Sequence, residues 1–462
     1  GPDVSAESFG LGAASGSEAT RLQRAFNYVS AQGGGTGTYS GTVTLDNTTV
    51  TIPNGVTLKG TLSYPNGWRE DTAVFGTKFF ITASTGFTVQ TGGCIVGCCI
   101  QRVGVEYSQT AAQAAAWTGT AINATGSGSS IQDCMILGFA LGASFGIVSG
   151  TARVDMQNVF IDCNAGVYIN GSVDMDRLAG VHCWPFLSTG LAEAEFARTG
   201  TGIEIEGTGS WSRLENCIVF GHAIGYDLNG TEDISLDNCV SDGKGILNGI
   251  GVFVQGNATG TKINNCNFGG AYDYAIKIDT GANLLPRNAV SIIGCKMNAA
   301  SALSQVQIVA AGKVTLVGNQ MIGGAIGIEI AGNSGVEVSA TGNLFESQTT
   351  APLANAAGGY TLNNIVWDES NSIVTAVTSD LWVNSIDQRK SITATGSTLV
   401  LVPNMPVMLT TATGDITAIR KMPPGTRVTL QATNGLTLKT TGNIRTKTGS
   451  DTVLAAGAST AL

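Results

Sequence analysis

The chain has 462 residues and a formal charge of −9; 12% of it is charged, and its 63 glycines are about twice ordinary usage. With 43% hydrophobic residues and no G-X-Y period it is neither disordered nor collagen-like, and its negative charge disfavours nucleic acid while leaving a neutral or cationic polymer, or a local basic groove, open. Its ten cysteines lack CxxC or Cys/His spacing, which predicts reduced buried side chains, no metal site and no cofactor, and no apolar run approaches the roughly 20 residues of a membrane span.

In chain order, Gly1-Pro2 reads as the scar of a cleaved tag and residues 3–35 as an N-terminal lead-in carrying one helix. Within "SEATRLQRAFNYVS", Leu22, Phe26 and Val29 fall at helical spacing after a serine, and Gly33-Gly34-Gly35 ends the pattern. Such a helix would cap the open core of the repeats after it. From 36 to 372 a four-letter phrase recurs: "IQDC" 131–134, "MQNV" 156–159, "MDRL" 175–178, "LENC" 214–217, "LDNC" 236–239, "INNC" 263–266, "IIGC" 292–295, "LVGN" 316–319 and "ATGN" 340–343. Most steps are 19 to 29 residues, with one longer step between 178 and 214.

The third letters are Asp133, Asn158, Arg177, Asn216, Asn238, Asn265, Gly294, Gly318 and Gly342. Nearly all tolerate left-handed backbone, which predicts a sharp bend. Apolar residues alternate around it, the period of a strand with one buried face, and the cysteines of the fourth position fill the core. A further strand comes next in each repeat: "GVYI" 166–169, "GIEI" 202–205, "GYDL" 225–228, "GVFV" 251–254, "AIKI" 275–278 and "GIEI" 327–330. Strand, bend, strand, turn, strand without a helix predicts an all-β parallel β-helix. Past 372 the period is lost. "STLVLVPNMPVMLTT", "TRVTLQAT" and "LTLKTT" read as antiparallel strands of a separate β domain over 373–462, which stops where another strand would be natural, as if truncated.

The second letter of the phrase points outward and is free of architecture. Gln132, Gln157, Asp176, Glu215, Asp237 and Asn264 form this column, with Arg213 beside Glu215. Coil spacing puts Glu215 and Asp237 about 4.8 Å apart, and Asp176 about 9.6 Å from Asp237. Glycoside hydrolysis uses two carboxylates about 5–5.5 Å apart for retention or about 6.5–9.5 Å for inversion, and stacked like charges raise one another's pKa. Asp176, Glu215 and Asp237 are therefore the primary catalytic candidates; a solvated polar ladder is the rival reading. The other strand carries a second column, Tyr168, Glu204, Asp227, Phe253, Lys277 and Glu329, in which Glu204 and Asp227 form an alternative pair. The longest interruption, "HCWPFLSTGLAEAEFART" from 182, is expected to build the binding face. Trp184, Phe186 and Trp211 offer surfaces for sugar stacking, His182 a polar contact, and Glu193 and Glu195 outside candidates for the acid.

The Ser-capped helix ending in "GGG", then "VTIPNGVTLKG" at 50–60, the repeated I-x-N-C coils and the all-β segment after them resemble the tailspike proteins of tailed bacteriophages, in the pectate-lyase-like right-handed parallel β-helix group. "VHCWPF" 181–186 and "RTGTGIEIEG" 198–207 are similar to a recurrent tailspike segment. The resemblance covers residues 3–372 and, more weakly, the remainder. It implies a homotrimer that binds and cleaves bacterial surface polysaccharide, O-antigen or capsule. It also implies a place on a virion tail, acting outside the cell beside other phage tail or baseplate proteins. The reduced cysteines predict assembly in the host cytoplasm, and the lack of a long apolar run predicts no membrane insertion. Endo-acting glycoside hydrolysis is the leading expectation. A lyase acting on an acidic capsule is the runner-up, with Lys244, Lys277, Arg177 and His182 as possible base or cation, though they share no column. A non-enzymatic receptor-binding virion protein is the third.

Overall fold

The computed structural model describes residues 1–354 apart from 13–15, 63–75, 147–152, 173, 208–210, 244–247, 281–288, 301 and 332–336, and beyond 354 the backbone of the strands alone. The chain divides into two units, Gly1–Thr361 and Leu362–Leu462. The boundary expected at 372/373 lies outside the described residues.

The first unit is a parallel β-helix with three strands per coil. The coil that carries "LENC" contains Arg213–Glu215, Ile218–Phe220 and His222–Asn229, and the next contains Ser235–Asp237, Val240–Asp242 and Ile250–Gln255. They pair in parallel, Leu214 with Leu236, Val219 with Ser241 and Tyr226 with Val252, which defines a first, second and third sheet running the length of the unit. Leu214, Cys217, Val219, Tyr226 and Leu228 all point into one stacked core and are fully buried.

Between the first and second sheets the chain turns on one left-handed residue. Asp133, Asn158, Asn216, Asn238 and Asn265 have φ of 51 to 54°, and Gly294, Gly318 and Gly342 of 63 to 66°. The predicted bend column therefore stands, with one correction. Leu178, not Met175, pairs with Leu214, so the coil's phrase is "LAGV" 178–181 and its bend residue is Gly180, φ 64°, rather than Arg177. Matching on the acid misplaces this coil, because the apolar residue sets register.

The cysteines line the core as expected. Cys98, Cys134, Cys217, Cys239, Cys266 and Cys295 are buried, and all ten cysteines of the chain are free thiols. Farther along, the column changes to asparagine. Asn319 Oδ1 accepts from the Cys295 amide at 2.9 Å, and Asn343 Oδ1 from the Asn319 amide at 3.0 Å, while both side-chain amides donate to backbone carbonyls. A buried amide is tolerated there because every polar atom of the ladder is satisfied.

Within the run of third-sheet strands from 166 to 330, one escaped the sequence pattern. Ser304–Ala310 lies between the strands of "AIKI" and "GIEI" in the third sheet, Ile276 pairing with Val306 and Val306 with Ile328. Its coil has Gln305 where others have a small residue. At Gly202, for example, a Cβ would approach Val219 Cγ1 to 2.3 Å. Gln305 is accommodated by turning its amide to the carbonyls of Ala299, Ile322 and Gly323 at 2.9–3.0 Å.

At the N-terminus, helix α1 (Glu18–Ala31) starts at Ser17, whose hydroxyl accepts from the Thr20 amide at 3.1 Å, and buries Leu22, Ala25, Phe26 and Val29. Phe26 lies over Gly37, where a Cβ would come within 2.8 Å of the ring. The stack begins earlier than expected, because Asp3–Ser5 already pairs in parallel with Thr36–Thr38.

In the second unit the expected antiparallel arrangement holds only in part. Arg389–Ile392 pairs in parallel with Val407–Thr410, and that strand in parallel with Thr429–Ala432, steps of 18 and 22 residues. Thr398 with Ala418 and Gly414 with Leu436 keep the same sense; Ala394–Thr395 with Thr398–Leu399 and the pairs reaching Leu454 and Ala461 are antiparallel. Alternation of apolar residues reports which face is buried, not strand direction, and no bend phrase marks the coils here.

Candidate functional site

The first sheet places Glu215 opposite Asp237 on adjacent strands, about 4.8 Å apart. Asp176 does not join them. It occupies the buried position also held by Val154, Ser212, Ile234 and Thr261, and is 1% exposed. There it accepts from the Val154 amide at 3.1 Å and from the Ser172 and Ser212 hydroxyls at 2.7 and 3.2 Å. Burial raises its carboxyl pKa against the lowering by these bonds. Asp176 closes a turn, and Ala179 stands in the outward column where the sequence reading put it. Glu215 faces Arg177 at 3.6 Å, and Asp237 accepts from Asn264 Nδ2 at 2.9 Å. Arg213 is exposed, in register with Arg177.

The third sheet concentrates more acid. Tyr168, Glu204, Asp227 and Phe253 are in register on consecutive strands, and two residues along lie Asn170, Glu206, Asn229 and Gln255. Glu206 escaped the sequence reading although "GIEIEG" shows it two positions after Glu204, on the same outward side. Around Glu206 converge the hydroxyl of Tyr168 and the amides of Asn170 and Asn229, the amides at 3.4 and 3.5 Å. Asp227, 7% exposed, receives both of its hydrogen bonds from Gln255 Nε2, at 2.9 and 3.0 Å. Glu204 is half-buried and, among the described residues, accepts no hydrogen bond.

The electrostatics arise from this packing. Burial, then Asp227 and Glu206, raise the Glu204 carboxyl above its ordinary pKa. Burial also raises Asp227, with Gln255 acting against it and Glu206 with it. Tyr168 is pushed to about 12 by burial and by the hydrogen bond to Glu206, so it remains a neutral donor. Two carboxyls biased toward protonation next to a third acid are an arrangement suited to proton transfer.

The interrupting loop sits against the second sheet, away from both acid columns. Trp184 stacks on Phe220 with ring centroids 4.0 Å apart, and Phe160 meets His182 and Phe186 edge-on at 5.2 and 5.9 Å. His182, in register between Phe160 and Ile218, has its pKa lowered by burial. Glu195 accepts from the Ala111 amide at the start of helix α2 (Ala111–Ala115), at 2.8 Å, so it caps a helix; Glu193 is exposed on the same turn. The loop is fastened by a buried pair, Arg198 and Asp162, 2.9 Å apart and both 0% exposed. Asp162 also accepts from the Leu187 amide at 2.6 Å, while Arg198 donates to Ser188 Oγ at 2.9 Å and lies over the Trp117 ring at 5.1 Å. A single acid at an inward position, in "FIDC", was the available sign.

Trp211 alone of the predicted aromatic contacts is open, 63% exposed and held at φ 58° just before the first-sheet strand. Lys244 lies outside the described residues. The second histidine, His222, is buried beside Arg198, and its pKa is lowered to about 4, mainly by burial. The unfolded chain takes up a proton below about pH 6.5 that the folded chain refuses until about pH 4, so acidification through that window should cost about 3 kcal/mol. Thermal unfolding across pH 7 to 4 checks this, and His222→Phe should flatten the profile.

No protein-family model and no curated protein matches the chain. The likeness found is one of fold. DFA-IIIase from Arthrobacter chlorophenolicus A6, crystallised in complex with GF2, is 13% identical over 78% of this chain and 93% of that one, with a TM-score of 0.51. The catalytic domain of a GH87 alpha-1,3-glucanase is 12% identical over 76% and 67%, TM-score 0.49. The Streptococcus pneumoniae surface protein and adhesin PfbA is 11% identical over 77% and 100%, TM-score 0.45. At such identities a shared β-helix says nothing of the reaction, which must be read from the site.

Proposed function

We propose that the chain is a polysaccharide-cleaving enzyme, an endo-acting glycoside hydrolase whose acids are those of the third sheet. The observation that carries this reading is the in-register pair Glu204 and Asp227 with Glu206 beside them. Glu204 has a raised pKa and, among the described residues, accepts no hydrogen bond that would hold it ionised, which suits it to the role of general acid. Asp227, whose two oxygens are both fixed by Gln255 Nε2, takes the role of its partner. In-register side chains on neighbouring strands project side by side at about 4.8 Å, near the spacing of about 5–5.5 Å used by retaining enzymes. The tailspike resemblance extends the proposal to bacterial O-antigen or capsule as substrate and to a homotrimer on a virion tail as the working form.

A digestion of purified surface polysaccharides tests the reaction class. New reducing ends without ultraviolet absorbance are expected, with the anomeric configuration of fresh products retained by NMR. Inverted products would shift the partner role to Glu206, about 6.6 Å from Glu204 along the strand and so within the inverting range. An absorbing, unsaturated product would establish the lyase, and polymer left intact by a protein that binds it would establish an adhesin.

A further inference from the structure

The third sheet continues past the acids with a different set of outward groups. The Asp227 column runs on through Phe253, Lys277, Gln307 and Glu329. Lys277 Nζ lies 5.5 Å from the centre of the Phe253 ring and 5.4 Å from that of Tyr274, on its own strand. Among the described residues no carboxylate forms an ion pair with it within 4.0 Å. Glu329, two strands farther, is held by the Ser304 hydroxyl and by Gln307 Nε2, the latter at 2.9 Å.

Two ring faces attract an ammonium electrostatically and fix where it stands, yet they consume none of its three N–H donors. Lys277 is thus a positioned, half-buried cation with donors to spare, two strands or about 9.6 Å from Asp227. Flat apolar rings beside a charge suit a sugar that carries an anion, since the rings take the pyranose face and the ammonium its charged substituent. One ammonium supplies a single compact positive charge, which balances a monoanionic substituent such as a carboxylate. The chain's net charge of −9 repels a polyanion in general, so a lone cation along this line sets where the charged sugar can lie.

We propose that Phe253, Tyr274 and Lys277 form a subsite for a carboxylate-bearing sugar, and that the substrate is an acidic polysaccharide lying along the long axis of the third sheet. This rests on the reading of Glu204 and Asp227 as the cleavage point.

The test is affinity electrophoresis through gels containing polygalacturonate, hyaluronan, colominic acid or purified bacterial capsules, each beside its carboxyl-reduced counterpart. Glu204→Gln protein serves as the uncleaving reference. Binding to acidic polymer that disappears on carboxyl reduction is expected. Lys277→Met should weaken it about tenfold, the loss of one charge-assisted contact, while Lys277→Arg keeps most of it. Equal thermal unfolding of the variants shows that the fold is intact. Retention of neutral polymers alone, indifference to carboxyl reduction, or Lys277→Met binding like the reference would overturn the subsite. If Glu204→Gln still cleaves while Lys277→Met loses binding, the catalytic assignment fails and the subsite stands alone. If no polymer is retained, both fail.

Discussion

Glu204→Gln and Asp227→Asn should each lower depolymerisation by about 10²- to 10⁴-fold, the range for removing a positioned proton donor or its charged partner. Glu204 is the stronger test because its own surroundings prepare it: burial and two neighbouring acids raise its pKa, and among the described residues no donor stabilises its anion. The same facts fix the sign of the stability change. A carboxyl that holds its proton more tightly when folded makes the folded state bind more protons than the unfolded one, so stability falls as pH rises above the ordinary carboxyl pKa. Glu204→Gln removes that penalty and should be no less stable than the parent at neutral pH, which separates lost chemistry from lost folding. Glu215→Gln and Asp237→Asn are the matched comparison and should keep activity within a few fold. Their carboxylates face Arg177 and Asn264, a surface ladder that needs no catalytic explanation. Full activity in Glu204→Gln, with loss in Glu215→Gln, would transfer the site to the first sheet.

The second large effect is expected at the buried pair. Arg198→Met leaves Asp162 charged, without solvent and without its guanidinium, and should destabilise the first unit by about 3–5 kcal/mol. Asp162→Leu should cost a similar amount by stranding Arg198, which is fully buried. Because two buried charges are also costly to desolvate, the double variant should recover much of the loss. Thermal unfolding of the four proteins completes the cycle, and proteolysis within 184–197 reports whether the loop has lifted. Two single variants as stable as the parent would show that aromatic packing around Phe160 and Phe220, not the ion pair, holds the loop down. Activity of any variant that stays folded should survive, because the loop covers the second sheet and the acids stand on the third.

How far the primary structure goes depends on which physical constraint each residue answers. Register in a stacked coil is a local matter: an apolar residue, a left-handed bend and a small core filler recur at short spacing, so the parallel β-helix and the Glu204–Asp227 and Glu215–Asp237 pairings can be read directly. Reading fails where a coil departs from the phrase. The "MDRL" segment matches only through its acid, and Gln305 disguises a whole strand because one carbonyl of its own coil and two of the next satisfy its amide. In the second unit, alternation alone leaves strand direction undetermined.

Which acid is chemically prepared was never a local property. Burial of Asp227, its two bonds from a glutamine 28 residues later, and the lack of a donor to Glu204 among the described residues arise from neighbouring coils, as does the pairing of Asp162 with an arginine 36 residues away. Periodicity in the chain dictates how coils stack, because strand pairing repeats with sequence. Desolvation and the choice among donors depend on the distances between those coils, and so on the folded molecule alone.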